Sequence, residues 1–313
     1  MLDPQARALI DLMTQRQVPP VHTLTPEQAR AMYRDRRGFT QPEPPAVGEV
    51  RELRTTGGVP LRLYRPIDAG LCPVLVYVHG GGWTIGDLDT HDVLCRQLCV
   101  GAGVAVVSVD YGLGPEARFP KAVVDCVEAT QWVRAHAAEL GVDATRMAVG
   151  GDSAGGNLSA VVAIALRDSS AAGEPPLAFQ LLIYPATDMR AVAPSHISNG
   201  QGYLLTSDSI AYYRNCYIAH PNDWADWRAS PLLAADLSRL PPALVITAGY
   251  DPLRDEGRQY ADALSAAGNT VQYVCFERQV HGFITMSRVL GEALTAVDLC
   301  ASALRRAVFS PEV

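Results

Sequence analysis

Lysine is almost missing from this chain. Lys121, in RFPKAVV, is the only one, and arginine supplies the rest of the 26 basic residues. That excludes a Walker A loop and a Ser-x-x-Lys dyad, and it leaves little prospect of a Schiff-base lysine. Runs of basic residues are absent too, and the net charge is −7. Nucleic acid and an anionic membrane surface are therefore poor partners. No apolar stretch approaches the roughly 20 residues of a membrane span. The opening MLDPQARALIDLM has an early acid and a proline, with no basic segment before an apolar core. It does not read as a secretory signal, so a cytoplasmic protein is expected. The seven cysteines include no CxxC pair. Cys95 and Cys99 are spaced to share a helix face, but buried reduced thiols are a better reading than a zinc site. Neither a metal nor a cofactor is expected.

The 313 residues suffice for one large domain, or one domain with a cap. Residues 1–45 read as a helical appendage. Leu9, Ile10 and Met13 recur at helical spacing, and Thr25, Pro26 and Gln28 form a helix-start signature. The proline-rich TQPEPPAV closes that appendage. VRELRTTGGVPLRLYRP follows as two alternating runs around a turn, which predicts a hairpin. Short apolar runs then alternate with helical stretches: PVLVYVHG, GVAVVSVDYG, RMAVGGD, FQLLIYP, PALVITAGYD and VQYVCFE. The clearest helix runs from Phe119 to Glu139. This pattern predicts an α/β fold, with a mostly parallel central sheet and helices on both faces. Residues 188–228 interrupt the rhythm with many aromatics and a helical stretch near Ser207 to Ala219, and read as an inserted second cap piece. The core is then 46–187 and 229–313.

One segment carries chemistry. RMAVGG reads as a strand and GGNLSAVVAIALRD as a helix, and Gly151-Asp152-Ser153-Ala154-Gly155 between them fits G-x-S-x-G. Glycines on both sides let strand and helix approach closely, so the serine is held on a strained turn with its hydroxyl exposed. A serine is a poor nucleophile without a base and an acid to orient that base. Asp251 directly follows the run PALVITAGY, and His281 follows VQYVCFERQV. The order Ser153, Asp251, His281 is that of the α/β-hydrolase triad. Among the seven histidines only His281 follows the last strand. Asp251 has rivals in Asp188, Asp255 and Glu256, but lies nearest a strand end.

A tetrahedral intermediate needs donors for its oxyanion. His79-Gly80-Gly81-Gly82 follows a strand and offers unobstructed backbone N–H groups, with Gly81 and Gly82 expected as donors. Ala154, at the start of a helix, should add a third. The spacing to Gly86 is one residue too long for a dinucleotide loop. His79 reads as a loop brace rather than a base.

Taken together, His79-Gly80-Gly81-Gly82-Trp83, Gly151-Asp152-Ser153-Ala154-Gly155, Asp251-Pro252-Leu253 and His281-Gly282-Phe283 resemble the GDSAG branch of the hormone-sensitive-lipase family of bacterial esterases. The likeness spans about residues 45 to 305. It implies the α/β-hydrolase fold with a helical cap, and a serine carboxylesterase that cleaves short-chain esters through an acyl-enzyme without a cofactor. The partner would be a small-molecule ester. Trp83 and the cap aromatics Tyr203 and Tyr212 would line its pocket. The resemblance also implies a homodimer paired along the exposed edge of VQYVCFE. Lactone or amide hydrolysis and acyl transfer use the same triad. A receptor on this fold would need no intact triad. In one place the chain departs from the family: Tyr111-Gly112-Leu113-Gly114-Pro115-Glu116 stands where Tyr-Arg-Leu-Ala-Pro-Glu is usual. Two glycines there are expected to loosen a turn.

Overall fold

The two alternating runs of the hairpin and the six apolar runs become one eight-stranded sheet in the computed structural model, which describes residues 1–171 and 174–309. The strands are β1 (Glu49–Arg54), β2 (Pro60–Arg65), β3 (Cys72–Val78), β4 (Ala105–Val109), β5 (Val142–Asp152), β6 (Phe179–Ile183), β7 (Ala243–Tyr250) and β8 (Val271–Val280). Their spatial order is β1-β2-β4-β3-β5-β6-β7-β8. The first two form the predicted hairpin, and β2 also runs antiparallel to β4; all other neighbours are parallel. Both faces are covered, which is why the central strands are continuously apolar. Along β3, Val74, Val76 and Val78 join the core on one face, and Leu75 and Tyr77 join the core on the other.

The helices are α1 (Pro4–Gln15), α2 (Pro26–Thr40), α3 (Asp92–Ala102), α4 (Lys121–Ala135), α5 (Ala137–Leu140), α6 (Ala154–Ser169), α7 (Ser195–Ser198), α8 (Ser207–Tyr217), α9 (Arg254–Ala266) and α10 (Glu292–Phe309). Helices α3 and α10 pack on one face of the sheet; α4, α6 and α9 pack on the other. The single helix predicted for 119–139 is broken at His136. Its ring Nδ1 sits 2.9 Å from the Trp132 carbonyl and its backbone leaves the helical region, so the chain restarts as α5.

The N-terminal residues fold as their caps dictate. Asp3 accepts hydrogen bonds from the N–H groups of Gln5 and Ala6 and starts α1. The Thr25–Gln28 capping box starts α2, with both reciprocal bonds made. Arg30 then ties α2 to the body. Its guanidinium donates to the carbonyls of Thr84 (2.9 Å) and Gly114 (2.8 Å) and pairs with Glu116 at 2.6 Å.

The turn expected to be loose is held firmly. Gly112 N–H donates to Asp125, and Gly114 N–H donates to the Trp83 carbonyl at 2.7 Å. A Cβ at 114 would come within 2.6 Å of the Cys216 carbonyl oxygen, and one at 112 within 2.8 Å of Ala117 Cβ. The glycines are present because neighbouring chain approaches closely, and they do not slacken the segment.

Candidate active site

Strand β5 stops at Asp152 and α6 begins at Ala154, so Ser153 stands alone between them. Its φ of 55° and ψ of −119° are unusual for a side-chain-bearing residue. The conformation is enforced from both sides. A Cβ on Gly151 or Gly155 would strike the Val78 carbonyl, so only glycine lets α6 dock against β3 here. The Ser153 N–H donates to the Ile183 carbonyl at 2.8 Å, which fixes the turn to β6.

Two further strand ends deliver the partners. His281 follows β8 directly, and its Nε2 lies 2.9 Å from Ser153 Oγ. Asp251 follows β7 directly, and its Oδ2 lies 2.7 Å from His281 Nδ1. Asp251 is fully buried, and its other oxygen accepts the Leu253 N–H at 2.8 Å. An ionised carboxylate only accepts hydrogen bonds, so Nδ1 bears the proton and Nε2 is left to accept from the serine hydroxyl. The rival acids are occupied elsewhere. Asp188 pairs with Arg190 at 2.8 Å, Asp255 with Arg254 at 2.7 Å, and Glu256 with His196 at 2.6 Å.

Gly81 and Gly82 border the same cavity as Ser153 and His281. Their φ values of 121° and 57° turn the backbone in a way that larger residues resist. Ala154 opens α6, so its N–H has no intrahelical acceptor. His79 braces the loop. It is fully buried, its Nδ1 contacts the Gly80 carbonyl at 2.8 Å, and its ring stacks on Tyr111 at 4.4 Å. Burial, with help from the nearby His91, pushes its pKa down to about 4, so His79 is neutral at pH 7.

Sequence reasoning missed the network beneath the serine. Asp152 accepts from the Tyr77 hydroxyl at 2.7 Å and from the Gly80 N–H at 3.0 Å, and His91 Nε2 lies 3.2 Å away. Burial works against its charge, but His91 and the Tyr77 bond outweigh it and hold the carboxyl below its usual range. The variable position of G-x-S-x-G thus anchors the first N–H of the glycine loop. A lone acid at the end of a buried strand was the available signal, because such a group needs partners.

The cavity over Ser153 has a volume of about 830 Å³. Trp83 and Tyr203 border it as expected. Tyr212 does not. Its neighbour Tyr213 takes that place, one residue further around α8, with its ring against Gly82. Trp83 itself is stacked on Tyr217 at 5.0 Å and is nearly buried. Helix α2 contributes Met32 and Tyr33, which no motif indicated. Four of the six methionines border this cavity: Met13, Met32, Met189 and Met286.

A family model of the alpha/beta hydrolase fold matches residues 75–285. The chain belongs to the α/β-hydrolase family. Among curated relatives of this α/β hydrolase, the carboxylesterase NlhH of Mycobacterium tuberculosis (strain ATCC 25618 / H37Rv) is 41% identical, over 98% of this chain and 96% of its own length. The carboxylic ester hydrolase LipN of the same strain is 48% identical, over 80% of this chain and 67% of its own length. The crystal structure of a thermostable esterase from Pseudomonas putida ECU1011 superposes with a TM-score of 0.94 at 35% identity, covering 99% of this chain and 98% of that one.

Proposed function

We propose that this hydrolase is a serine carboxylesterase acting on short-chain carboxylic esters, with Ser153, His281 and Asp251 as its triad. The observation that carries this reading is the unbroken hydrogen-bonded line from Asp251 through His281 to Ser153 Oγ, opening into a cavity bordered by the glycine loop. Relatives named as carboxylesterases support it.

In this mechanism His281 Nε2 takes the hydroxyl proton as Ser153 Oγ attacks the ester carbonyl. The tetrahedral oxyanion is held by the N–H groups of Gly81, Gly82 and Ala154. Asp251 keeps the imidazole in the right tautomer and stabilises the imidazolium. His281 then protonates the departing alkoxide, which leaves as the alcohol. A water, deprotonated by the same nitrogen, cleaves the acyl-enzyme. Segments 1–45 and 188–228, both of which border the cavity, act as a two-piece cap. No receptor role is proposed, since a binding protein has no use for the serine–histidine–aspartate line.

The decisive test is covalent labelling. An aryl phosphonate should phosphonylate Ser153 in the wild type, with loss of ester hydrolysis in proportion. Label at another residue, or activity that survives full labelling of Ser153, would sink the assignment. Two secondary proposals accompany it. Strand β8 ends the sheet, and its free edge is the proposed pairing surface of a homodimer, which sedimentation at micromolar concentration would disprove by finding a monomer. A cytoplasmic site of action fits the seven unpaired cysteines, and secretion of the native protein would refute it. Among the described residues no helix is long and apolar enough to cross a membrane.

A further inference from the structure

We propose that Arg214 is a carboxylate-recognition residue, and that the ester this cavity is built for carries a free carboxylate. The proposal rests on the esterase reading above and adds a substrate class to it.

Among the described residues, three arginine Nε atoms are buried without a hydrogen-bond partner: those of Arg51, Arg134 and Arg214. Arg51 and Arg134 each sit beside a carboxylate, Glu49 at 3.2 Å and Glu174 at 3.3 Å. Arg214 pairs with no carboxylate among the described residues, and it is the only one of the three that borders the cavity. It projects from the last turn of α8, next to Tyr213. Its guanidinium lies 3.9 Å from the centre of the Trp224 ring, and Nη1 donates to the Met189 carbonyl at 2.9 Å. Nε is buried without an acceptor, and Nη2, which is not buried, makes no hydrogen bond among the described residues. Burial depresses the Arg214 pKa, and no neighbouring acid offsets it.

A half-buried cation with unused donors is costly to keep, and needs an explanation. The helix C-terminus favours a positive charge there, but leaves Nε and Nη2 unbonded. The acids on the same cavity wall do not supply the missing acceptor. Asp188 is engaged by Arg190, Glu256 by His196 and Asp152 by Tyr77 and Gly80, and neither Asp35 nor Asp208 pairs with Arg214 among the described residues. The stack on Trp224 and the bond to Met189 fix the guanidinium plane, so Nη2, which is not buried, and the second hydrogen of Nη1 are preorganised for a planar acceptor. A carboxylate matches that geometry, because guanidinium binds it through paired N–H groups. A neutral ester would leave those donors unpaired. A site built around a polar group discriminates strongly against ligands that lack it.

The free carboxylate has two possible origins. It belongs to the acyl part in a monoester of a dicarboxylic acid, and to the alcohol part in an ester of a hydroxy acid. The test compares ethyl butyrate with monoethyl glutarate for the first, and with the butyryl ester of 3-hydroxypropionic acid for the second, by pH-stat, in wild type, Arg214→Gln and Arg214→Lys. In the wild type at least one acidic ester should equal or exceed ethyl butyrate in kcat/KM. Arg214→Gln should lower that acidic-to-neutral ratio by roughly 10- to 100-fold, mostly through KM, and Arg214→Lys should restore part of it. The ratio is taken within one preparation, so loss of folded enzyme cancels. A second measurement needs only the wild type: glutarate should inhibit ethyl butyrate hydrolysis competitively and more strongly than glutaramide. The proposal is overturned if both acidic esters are poorer substrates than ethyl butyrate, or if the ratio is unchanged in Arg214→Gln, or if glutarate inhibits no better than glutaramide. Failure of the esterase reading looks different, since no ester of any charge would then be hydrolysed.

Discussion

Two histidine–aspartate pairs lie beside Ser153, and they differ in what the second ring nitrogen meets. In His281–Asp251 the far nitrogen faces Ser153 Oγ at 2.9 Å and the ring borders the cavity. In His91–Asp152 the far nitrogen faces Thr90 Oγ1 at 3.0 Å and the ring is wholly buried. Both aspartates are buried and both are hydrogen-bonded. The chemistry of the pairs is nearly the same. One can pass a proton to a substrate. The other can only hold its surroundings, and it holds the glycine loop through the Gly80 N–H. A buried acid next to a histidine is therefore no sign of catalysis until the outlet for the proton is identified.

Mutation can break this comparison at several depths. Ser153→Ala removes the proposed nucleophile and should lower kcat by about 10⁴-fold or more while leaving the fold intact, as circular dichroism and an esterase assay would establish. Asp251→Asn should cost about 10⁴-fold in kcat, because an amide favours the wrong tautomer of His281. Asp152→Asn should act differently, destabilising the protein by about 1–3 kcal/mol in urea unfolding while reducing kcat far less. Were the two asparagine variants to lose equal activity at equal stability, the division of labour drawn here would be wrong.

Smaller effects sharpen the picture. Arg30→Met releases α2 from the Thr84 and Gly114 carbonyls and from Glu116, and loosens its hold on the body while the Arg34–Asp87 and Arg37–Asp89 contacts remain. It should lower kcat/KM by about tenfold on short acyl esters and flatten the chain-length profile, as water reaches the cavity. A p-nitrophenyl series from acetate to palmitate reads both, and the wild type should peak at short chains and decline before palmitate. A profile identical in the two enzymes would show that α2 does not shape the pocket. The pH dependence of stability tests His79. Its folded pKa of about 4 lies below the ordinary histidine value of 6.5, so between those pH values the unfolded chain binds a proton that the native protein excludes. Stability should then rise with pH across that window, and His79 should account for about 2 kcal/mol of the difference between pH 5 and pH 7. Urea titrations of wild type and His79→Gln at both values isolate it, and equal pH differences in the two would count against a neutral buried His79.

Much of this was legible in the residues alone. Apolar runs of strand length gave the sheet, and the helix-start residues at Thr25 to Gln28 gave α2. G-x-S-x-G gains its meaning from the strand before it and the helix after it, and the acid and the base each stand at the first position past a strand. What escaped depends on distances no local pattern encodes. Choosing Tyr213 over Tyr212 requires the phase of α8, where one residue turns the side chain by about 100°. The His91–Asp152 contact joins positions 61 residues apart. Arg214 looks like any helix-end arginine until its lack of a partner is seen in three dimensions. The glycines at 112 and 114 were misjudged for the same reason, because what crowds them comes from elsewhere in the fold: Ala117 and the start of α4 at 112, and α8 at 114.

That crowding sets the order in which the sequence can change. A side chain restored at 114 would collide with the backbone at Cys216. The preceding turn of the same helix supplies Tyr213 and Arg214, so displacing α8 at Cys216 disturbs the cavity wall as well. A lineage starting from this chain would have to shift α8 before it could accept alanine at 114. The reverse order passes through a poorly folded intermediate. Positions 114 and 216 are thus sterically coupled across 102 residues of sequence, so the glycine and the placement of α8 over the cavity depend on each other.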